Sequence, residues 1–132
     1  MFNFGDVLTK EKANNISPVV LAFIGDAVYS LYVRERLVFS SDLKTGELSA
    51  KTVESVKATS QAKFFKEIEN LLTEDELAVY KRARNAKKPT KSKSASVSEY
   101  NSSTGFEALL GFLYITGNIE RLNYLLNKGE KK

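Results

Sequence analysis

The sequence predicts an all-α fold in a single domain that covers residues 1–132. Apolar residues recur at three- and four-residue spacing almost throughout the chain, and no stretch alternates long enough to predict a strand. Turn residues are sparse, with seven Gly and two Pro in 132 residues. This length is typical of one domain, and the hydrophobic fraction of 42% is sufficient for a core.

The helix boundaries follow from capping residues and apolar spacing. Ser17 followed by Pro18 opens a helix that we expect to reach about residue 37. A second pattern runs from about 45 to 72 and can break near Thr59. Its expected buried stripe consists of Leu48, Val53, Val56, Ala62, Phe64, Phe65, Ile68 and Leu71. A capping box at 73–76 then predicts a helix to about residue 85.

The C-terminal third contains a loop and two further helices. Residues 86–94 hold Pro89 and several lysines and should form the loop. A second capping box at 96–99 predicts a helix to about 116, where Gly and Asn at 117–118 end it. Residues 119–127 form a last amphipathic helix, and we expect the tail after 127 to fray.

The composition excludes several classes of chemistry. The chain has no cysteine and no histidine, which rules out disulfides, cysteine nucleophiles, imidazole bases and metal sites with protein nitrogen or sulfur ligands. A metal would have to be a hard cation held by carboxylates, with Mg²⁺ or Mn²⁺ expected. The start of the chain resembles no secretory signal, and the apolar run at 19–24 is too short to span a membrane. We therefore expect a cytoplasmic protein.

The basic residues are concentrated in one segment. Lys and Arg number 20 against 16 acids, for a net charge of +4. Seven bases with no intervening acid fall between 81 and 93: Lys81, Arg82, Arg84, Lys87, Lys88, Lys91 and Lys93. Without them the chain would be acidic. Such a run is often only a solvated loop, but this segregation favours an arm that contacts the phosphates of a nucleic acid.

Two acids interrupt strongly apolar helices. Helical spacing places Asp26 on the face of Val19, Ala22, Tyr29 and Val33. A carboxylate there is costly unless it is paired, hydrogen-bonded or bound to a cation, and a structural pair with an Arg or a helix end is the alternative to a functional role.

Glu107 is the second acid, and glycines accompany both. Gly25 precedes Asp26, while Gly105 and Gly111 flank Glu107. Glycine within a helix costs about 1 kcal/mol relative to Ala, and close approach of another backbone is the usual reason for accepting that cost. We expect the two helices to pack tightly and to bring together two carboxylates that repel unless a divalent cation lies between them.

These motifs resemble a known family. The sequence Phe-Ile-Gly-Asp-Ala-Val at 23–28 resembles the signature helix of ribonuclease III catalytic domains, and Gly-Phe-Glu-Ala-Leu-Leu-Gly at 105–111 resembles their second metal-binding helix. The segments at 82–87 and 100–107 are more similar still to the Mini-ribonuclease III family, and the resemblance extends from about 15 to 126.

The resemblance implies a ribonuclease III endonuclease-domain helical fold and a Mg²⁺-dependent endoribonuclease, with Mn²⁺ as a substitute, that cleaves double-stranded RNA without a separate RNA-binding domain. It implies homodimers with the signature helices at the interface. It also implies maturation of 23S ribosomal RNA ends, with a ribosomal protein as a candidate accessory. Asp26 and Glu107 match the catalytic metal-binding acids. The expected RNA-binding residues are Arg82, Arg84, Asn85, Lys87, Lys88, Lys91 and Lys93.

The chain departs from full-length ribonuclease III at two positions. Ala22 stands where that enzyme has Glu, and Thr104 where it has Asp, as in the Mini family. Fewer carboxylates favour one firmly held Mg²⁺ per site, and Glu47 or Glu54 could supply a further ligand, although an exposed helix charge is the simpler interpretation of both. The alternatives are a catalytically silent RNA-binding module and a helical dimerisation or scaffold protein.

Overall fold

The computed structural model describes residues 4–40, 44–88 and 96–130, which form seven α-helices, one short 3-10 turn and no strand. The all-α fold is therefore confirmed for this part of the chain. The helices are α1 (Lys10–Asn14), α2 (Pro18–Ser40), α3 (Thr45–Ser55), α4 (Ala58–Ile68), α5 (Glu74–Asn85), α6 (Val97–Ile115) and α7 (Ile119–Gly129), with the 3-10 turn at Glu69–Leu71.

Helix α6 lies at the centre of the molecule. It is apolar on nearly every side, which is the pattern of a helix surrounded by protein. Phe106, Leu109, Leu110 and Leu113 are all buried. Helices α2, α4, α5 and α7 pack around α6 and cover it. Any residue on α6 that is polar and lies in this core is therefore in an unusual environment.

Two glycines set the distance between α2 and α6. A Cβ atom added at Gly25 would lie 2.6 Å from the Glu107 carbonyl carbon and 2.9 Å from the Gly111 nitrogen. A Cβ at Gly111 would collide with the Leu21 carbonyl. The predicted close packing is thus confirmed for this pair. Gly105 behaves differently, because it faces the ring of Tyr80 on α5 and has no part in the contact with α2.

The predicted capping boxes are present. Thr73 and Glu76 cap each other's backbone at the start of α5, and Ser96 and Glu99 do the same for α6. Gly117, with φ of +76°, adopts the left-handed conformation that ends α6 as predicted.

Several predicted boundaries were wrong. The long pattern breaks at Val56 and Lys57, ahead of the predicted 59–60. Val56 is the C-cap of α3, and Lys57, the N-cap of α4, leaves the helical conformation with a ψ of 151°. Val53 and Leu71 of the expected buried stripe are exposed, since α3 packs at the edge of the core and the 3-10 turn rotates Leu71 outward. Helix α2 is three residues longer than predicted, and α1 was not predicted.

The C-terminal elements also differ in detail. Helix α7 continues to Gly129, which is buried against Phe64, so the chain does not fray directly after residue 127. Residues 86–88 are non-helical, as expected for the loop, while 89–95 lie outside the described residues. No helix among the described residues is long and apolar enough to cross a membrane.

An ion pair between the buried Glu76 and the partly exposed Arg121 links α5 to α7. The Arg121 guanidinium donates from Nε to Glu76 Oε2 at 2.7 Å and from Nη2 to Glu76 Oε1 at 2.8 Å, and Nη2 also donates to the Leu71 carbonyl. Burial opposes ionisation of Glu76, but the hydrogen bonds and charge of Arg121, together with the hydrogen bonds at Thr73, lower the pKa of Glu76 overall. This pair shows how the fold satisfies a buried acid.

Candidate metal centre and RNA-binding segment

Asp26 and Glu107 meet where α2 crosses α6. Because Gly25 allows the α2 backbone to touch the carbonyl of Glu107, the two acids are brought to the same crossing point. Their carboxyl groups lie within hydrogen-bonding range of each other. The juxtaposition expected from sequence is therefore present in the structure.

The two acids differ in burial. Glu107 is largely enclosed, and burial, followed by the hydrogen bond and charge of Asp26, raises its pKa to about 8. The Asp26 side chain is exposed, although its helical neighbours Ala22 and Tyr29 are buried. The expectation that Asp26 lies on the buried face was wrong, because this residue lies at the edge of the α2–α6 contact. Of these two acids, Glu107 is therefore the one whose ionisation is opposed by burial.

Neither acid has a basic partner among residues 4–40, 44–88 and 96–130. The ion pairs of this region connect other residues, including Glu76 with Arg121 and Glu54 with Lys57. The alternative in which Asp26 is a structural partner of an arginine is thus not what the structure contains. Two carboxyl groups in contact, with no neutralising lysine or arginine in the described part of the chain, are the arrangement that a divalent cation or a shared proton would stabilise.

The donor set fits a hard cation. Carboxylate oxygens are the ligands that Mg²⁺ and Mn²⁺ prefer, and Mg²⁺ commonly uses one or two protein carboxylates with water and substrate phosphates completing its shell. No group of three or more acids, histidines or cysteines is assembled among the described residues. Glu47 and Glu54 are exposed on α3, and Glu54 is paired with Lys57, so neither joins the two acids.

Sequence reasoning missed one residue of this centre. Gln61 on α4 is buried, and its Nε2 donates to Glu107 Oε2 at 3.3 Å and to the Val56 carbonyl at 2.8 Å. The signal was available, because Gln61 lies four residues before Phe65 and seven before Ile68 and is thus a polar residue within the apolar stripe of α4. The same reasoning had selected Asp26 and Glu107.

The basic segment begins on the last turn of α5, and part of it is anchored. Arg82 donates from Nη2 to Asn14 Oδ1 at 2.8 Å, which ties it to the end of α1. Arg84 lies over the ring of Tyr80, 5.6 Å from its centroid. Lys88 donates from Nζ to the carbonyls of Arg84 and Ala86, so its ammonium caps the C-terminus of α5.

The remaining described members of the segment lie at the surface, as does Arg82. Lys81, Asn85 and Lys87 are exposed, whereas Lys91 and Lys93 lie outside the described residues. Tyr80 packs on Gly105, and helical geometry places position 105 about 160° around α6 from position 107. The basic segment and the acid pair therefore lie toward different faces of α6.

Comparison with known proteins places this arrangement in a family. The model of the ribonuclease III domain matches residues 19–118. The chain belongs to the ribonuclease III family. Mini-ribonuclease 3 of Thermoanaerobacter sp. is 48% identical over 92% of this chain and 85% of that protein. Mini-ribonuclease 3 of Streptococcus pneumoniae is 43% identical over 86% of this chain and 91% of that protein. A crystal structure from Fusobacterium nucleatum is 31% identical with a TM-score of 0.77, covering 86% and 90% of the two chains.

Membership in the ribonuclease III family confirms the resemblance, the fold and the assignment as an endoribonuclease. It also gives meaning to the two departures from full-length ribonuclease III. Ala22 is buried beside the crossing of α2 and α6, and the buried Thr104 hydroxyl donates to the Tyr100 carbonyl at 3.1 Å. Neither position adds a carboxylate to the two acids, Asp26 and Glu107, that meet at this crossing among the described residues.

Proposed function

We propose that this ribonuclease III domain is a Mg²⁺-dependent endonuclease that hydrolyses double-stranded RNA at a centre formed by Asp26 and Glu107. The observation that supports the proposal is the contact between these two carboxyl groups without a lysine or arginine to neutralise them among the described residues. Glu107 is partly buried and its pKa is raised to about 8, so it is costly to ionise unless a cation compensates its charge.

The roles of the two acids follow from their positions. Glu107, the more enclosed acid, and Asp26, which is exposed to solvent, would together hold the cation. When bound, Mg²⁺ supplies Lewis-acid activation of a water nucleophile and stabilisation of the charge that develops on the phosphate oxygens. To hold the cation, Glu107 would have to give up its proton, so that both acids would serve as carboxylates.

The basic segment supports binding to phosphates outside the centre. Arg84 and the exposed Lys81 and Lys87 project from the end of α5, on a different face of α6 from the acids. We assign Arg82 and Lys88 a smaller share of RNA binding, because Asn14 and the α5 carbonyls occupy part of their donor capacity. Contacts of this kind give affinity and little sequence discrimination, and duplex RNA would be selected by its shape and 2′-hydroxyls.

A homodimer through α2 is supported by an exposed apolar stripe. Val20, Phe23 and Leu31 lie on one face of α2 at helical spacing, and Phe23 is 83% exposed. Apolar surface of this kind on a soluble helix is typical of an interface. Asp26 lies within the same stretch of α2, so a partner packed here would border each centre and allow each protomer to cut one strand.

The proposed substrate is the precursor of 23S ribosomal RNA, which the enzyme would cut in double-stranded regions at its ends. Support for it is the resemblance to the Mini-ribonuclease III family and the 48% identity to one Mini-ribonuclease 3. An accessory ribosomal protein would supply site selection that shape recognition alone does not. Deletion of the chain from its host should leave extended 23S ends, which sequencing of RNA termini would detect.

Cleavage of an end-labelled RNA duplex tests the proposal. The wild-type chain should cut the duplex with Mg²⁺ and not with EDTA, and Asp26→Asn and Glu107→Gln should each lose at least about a hundredfold in rate. Glu120→Gln, an exposed acid on α7, is the matched control and should cleave normally. Retained cleavage in both site variants would refute the assignment. Binding without cleavage by the wild type would favour the silent RNA-binding module.

A charge placed on the apolar stripe tests the dimer. Phe23→Glu should shift the chain from dimer to monomer in analytical ultracentrifugation and reduce cleavage. Val97→Glu introduces the same charge at an exposed apolar position on α6 and should leave the dimer intact. A wild-type monomer that cleaves the duplex would contradict the proposed assembly.

A further inference from the structure

Gln61 connects the acid pair to the corner between α3 and α4. It lies in the first turns of α4 and is 2% exposed. Its Nε2 donates to two oxygens, the carbonyl of Val56 at 2.8 Å and Oε2 of Glu107 at 3.3 Å. Val56 is the residue that ends α3, so one end of this contact is fixed to backbone.

The orientation of the Gln61 amide is determined by its surroundings. A backbone carbonyl only accepts hydrogen bonds, so the NH₂ group and not Oε1 must face Val56. Oε1 is buried and has no hydrogen-bond partner in the described part of the chain. An unpaired buried carbonyl oxygen is unfavourable, and an apolar side chain of similar shape would avoid this cost. Stability alone therefore does not explain a glutamine at this position.

The Glu107 carboxylate needs an external anchor. Gly25 fixes the main chain of Glu107 through its contact with the carbonyl, but the side chain beyond the Cα has three rotatable bonds that this contact does not restrain. The hydrogen bond from Gln61 is a contact from a neighbouring helix to a carboxylate oxygen of Glu107. It selects one rotamer of a side chain that faces Asp26.

We propose that Gln61 is a positioning residue, which holds Oε2 of Glu107 so that the carboxylate faces Asp26 in the geometry required to bind one divalent cation. This inference rests on the proposed function, because it assumes that the acid pair binds the cation. It adds a third residue to the centre that carries no charge and donates a hydrogen bond in place of binding the metal. Partners of this kind commonly change metal affinity or activity by 10- to 100-fold when removed.

The test is a titration of the full chain with Mn²⁺. Binding is monitored by EPR as a decrease in the signal of the free ion. Gln61→Met keeps the approximate shape of the side chain and removes the donor. It should bind Mn²⁺ about tenfold more weakly than the wild type, and should recover most of its cleavage rate at saturating Mn²⁺. Thr52→Val is the matched control, because its buried hydroxyl donates only to the Leu48 carbonyl, and its Mn²⁺ affinity should equal that of the wild type.

A double-mutant cycle separates positioning from a general structural effect. If Gln61 acts through Glu107, then Gln61→Met should not weaken Mn²⁺ binding further in a Glu107→Gln background. Equal Mn²⁺ affinity in the wild type and Gln61→Met would overturn the inference. So would an equal additional loss in both backgrounds.

Two further variants distinguish a role of Gln61 in positioning from misfolding of Gln61→Met and from failure of the proposed metal site. If Gln61→Met fails to give a helical circular dichroism spectrum, Gln61→Asn, which retains the amide but shortens it by one methylene, should show the same loss of Mn²⁺ affinity. Asp26→Asn identifies failure of the proposed function instead, because unchanged Mn²⁺ binding in Asp26→Asn and Glu107→Gln would mean that the acids do not bind the cation.

Discussion

Replacing Gly25 by alanine should drive α2 and α6 apart. The added Cβ would lie 2.6 Å from the Glu107 carbonyl carbon and 2.9 Å from the Gly111 nitrogen. Carbon atoms do not approach backbone atoms this closely, since even favourable contacts to carbonyl oxygen lie at about 3.3–3.6 Å. All the obstructing atoms belong to backbone, so no side chain can rotate to make room. The Glu107 carbonyl oxygen is the nearest of these atoms, so the two helices must separate by at least about 1 Å near the acid pair.

The loss in the free energy of unfolding can be estimated from the position of the contact between α2 and α6. A gap of about 0.5–1 Å removes a quarter to a half of the dispersion energy of the atoms that face it, and overpacking of a core costs about 1–3 kcal/mol or more. Because α2 lies against the central α6, we expect a loss of about 3 kcal/mol in the free energy of unfolding. For a domain of this size that corresponds to a decrease in Tm of about 10 °C. Separation of Asp26 from Glu107 by about 1 Å should also reduce cleavage about a hundredfold.

Thermal unfolding followed by circular dichroism would measure the loss, with cleavage assayed well below both melting temperatures. Gly46→Ala is the matched control, because it makes the same substitution within α3, where an added Cβ meets nothing within 4 Å. Alanine is the better helix former, so Gly46→Ala should raise the stability by up to about 1 kcal/mol. If the Tm of Gly25→Ala lies within about 2 °C of the wild-type Tm, the close approach of the two helices is refuted.

Three other predictions concern charge. Without metal, the free energy of unfolding should fall as pH rises from about 4.5 to about 8, because folded Glu107, with its pKa raised to about 8, keeps a proton that the unfolded chain releases. Arg121→Met should cost about 3 kcal/mol in urea unfolding, because it leaves the buried Glu76 carboxylate without its partner. Lys81→Ala combined with Lys87→Ala should weaken duplex RNA binding and lower its salt dependence by about two ions, without changing Mn²⁺ affinity.

Each of these predictions has a control in the same chain. Glu107→Gln should flatten the pH dependence, and an unchanged slope would mean that another group causes it. Lys10→Ala breaks the exposed pair with Asp75 and should cost less than about 1 kcal/mol; a cost equal to that of Arg121→Met would contradict the argument from burial. Loss of Lys51 and Lys128, on α3 and α7, should affect RNA binding less than loss of the α5 pair.

Local signals predicted most of the helical framework. The capping boxes at Thr73 and Ser96 and the glycine at 117 act within one turn of chain, so their residues alone determine where α5 and α6 begin and where α6 ends. Val53 and Leu71 were misassigned because burial depends on which helix lies opposite, and the spacing of apolar residues does not contain that information. The break at Val56 was displaced for a similar reason, since Gln61 bonds to its carbonyl across the corner.

The candidate site was predicted from two acidic residues that lie within otherwise apolar helices. This pattern identified Asp26 and Glu107, and the glycines indicated that their helices meet. The sequence pattern did not reveal that Asp26 is exposed. Helical spacing shows which side of a helix a residue lies on, but not how deeply that residue is buried. The sequence also did not predict that Lys88 caps α5, since a lysine in a basic run has the same sequence pattern whether its ammonium binds backbone or solvent.

Anomalous diffraction from a crystal of the chain soaked in Mn²⁺ would show directly whether the two acids bind a divalent cation. An anomalous peak is expected within coordination distance of carboxylate oxygens from both Asp26 and Glu107. A peak that involves neither acid, or no peak while the two carboxyl groups remain in contact, would contradict it.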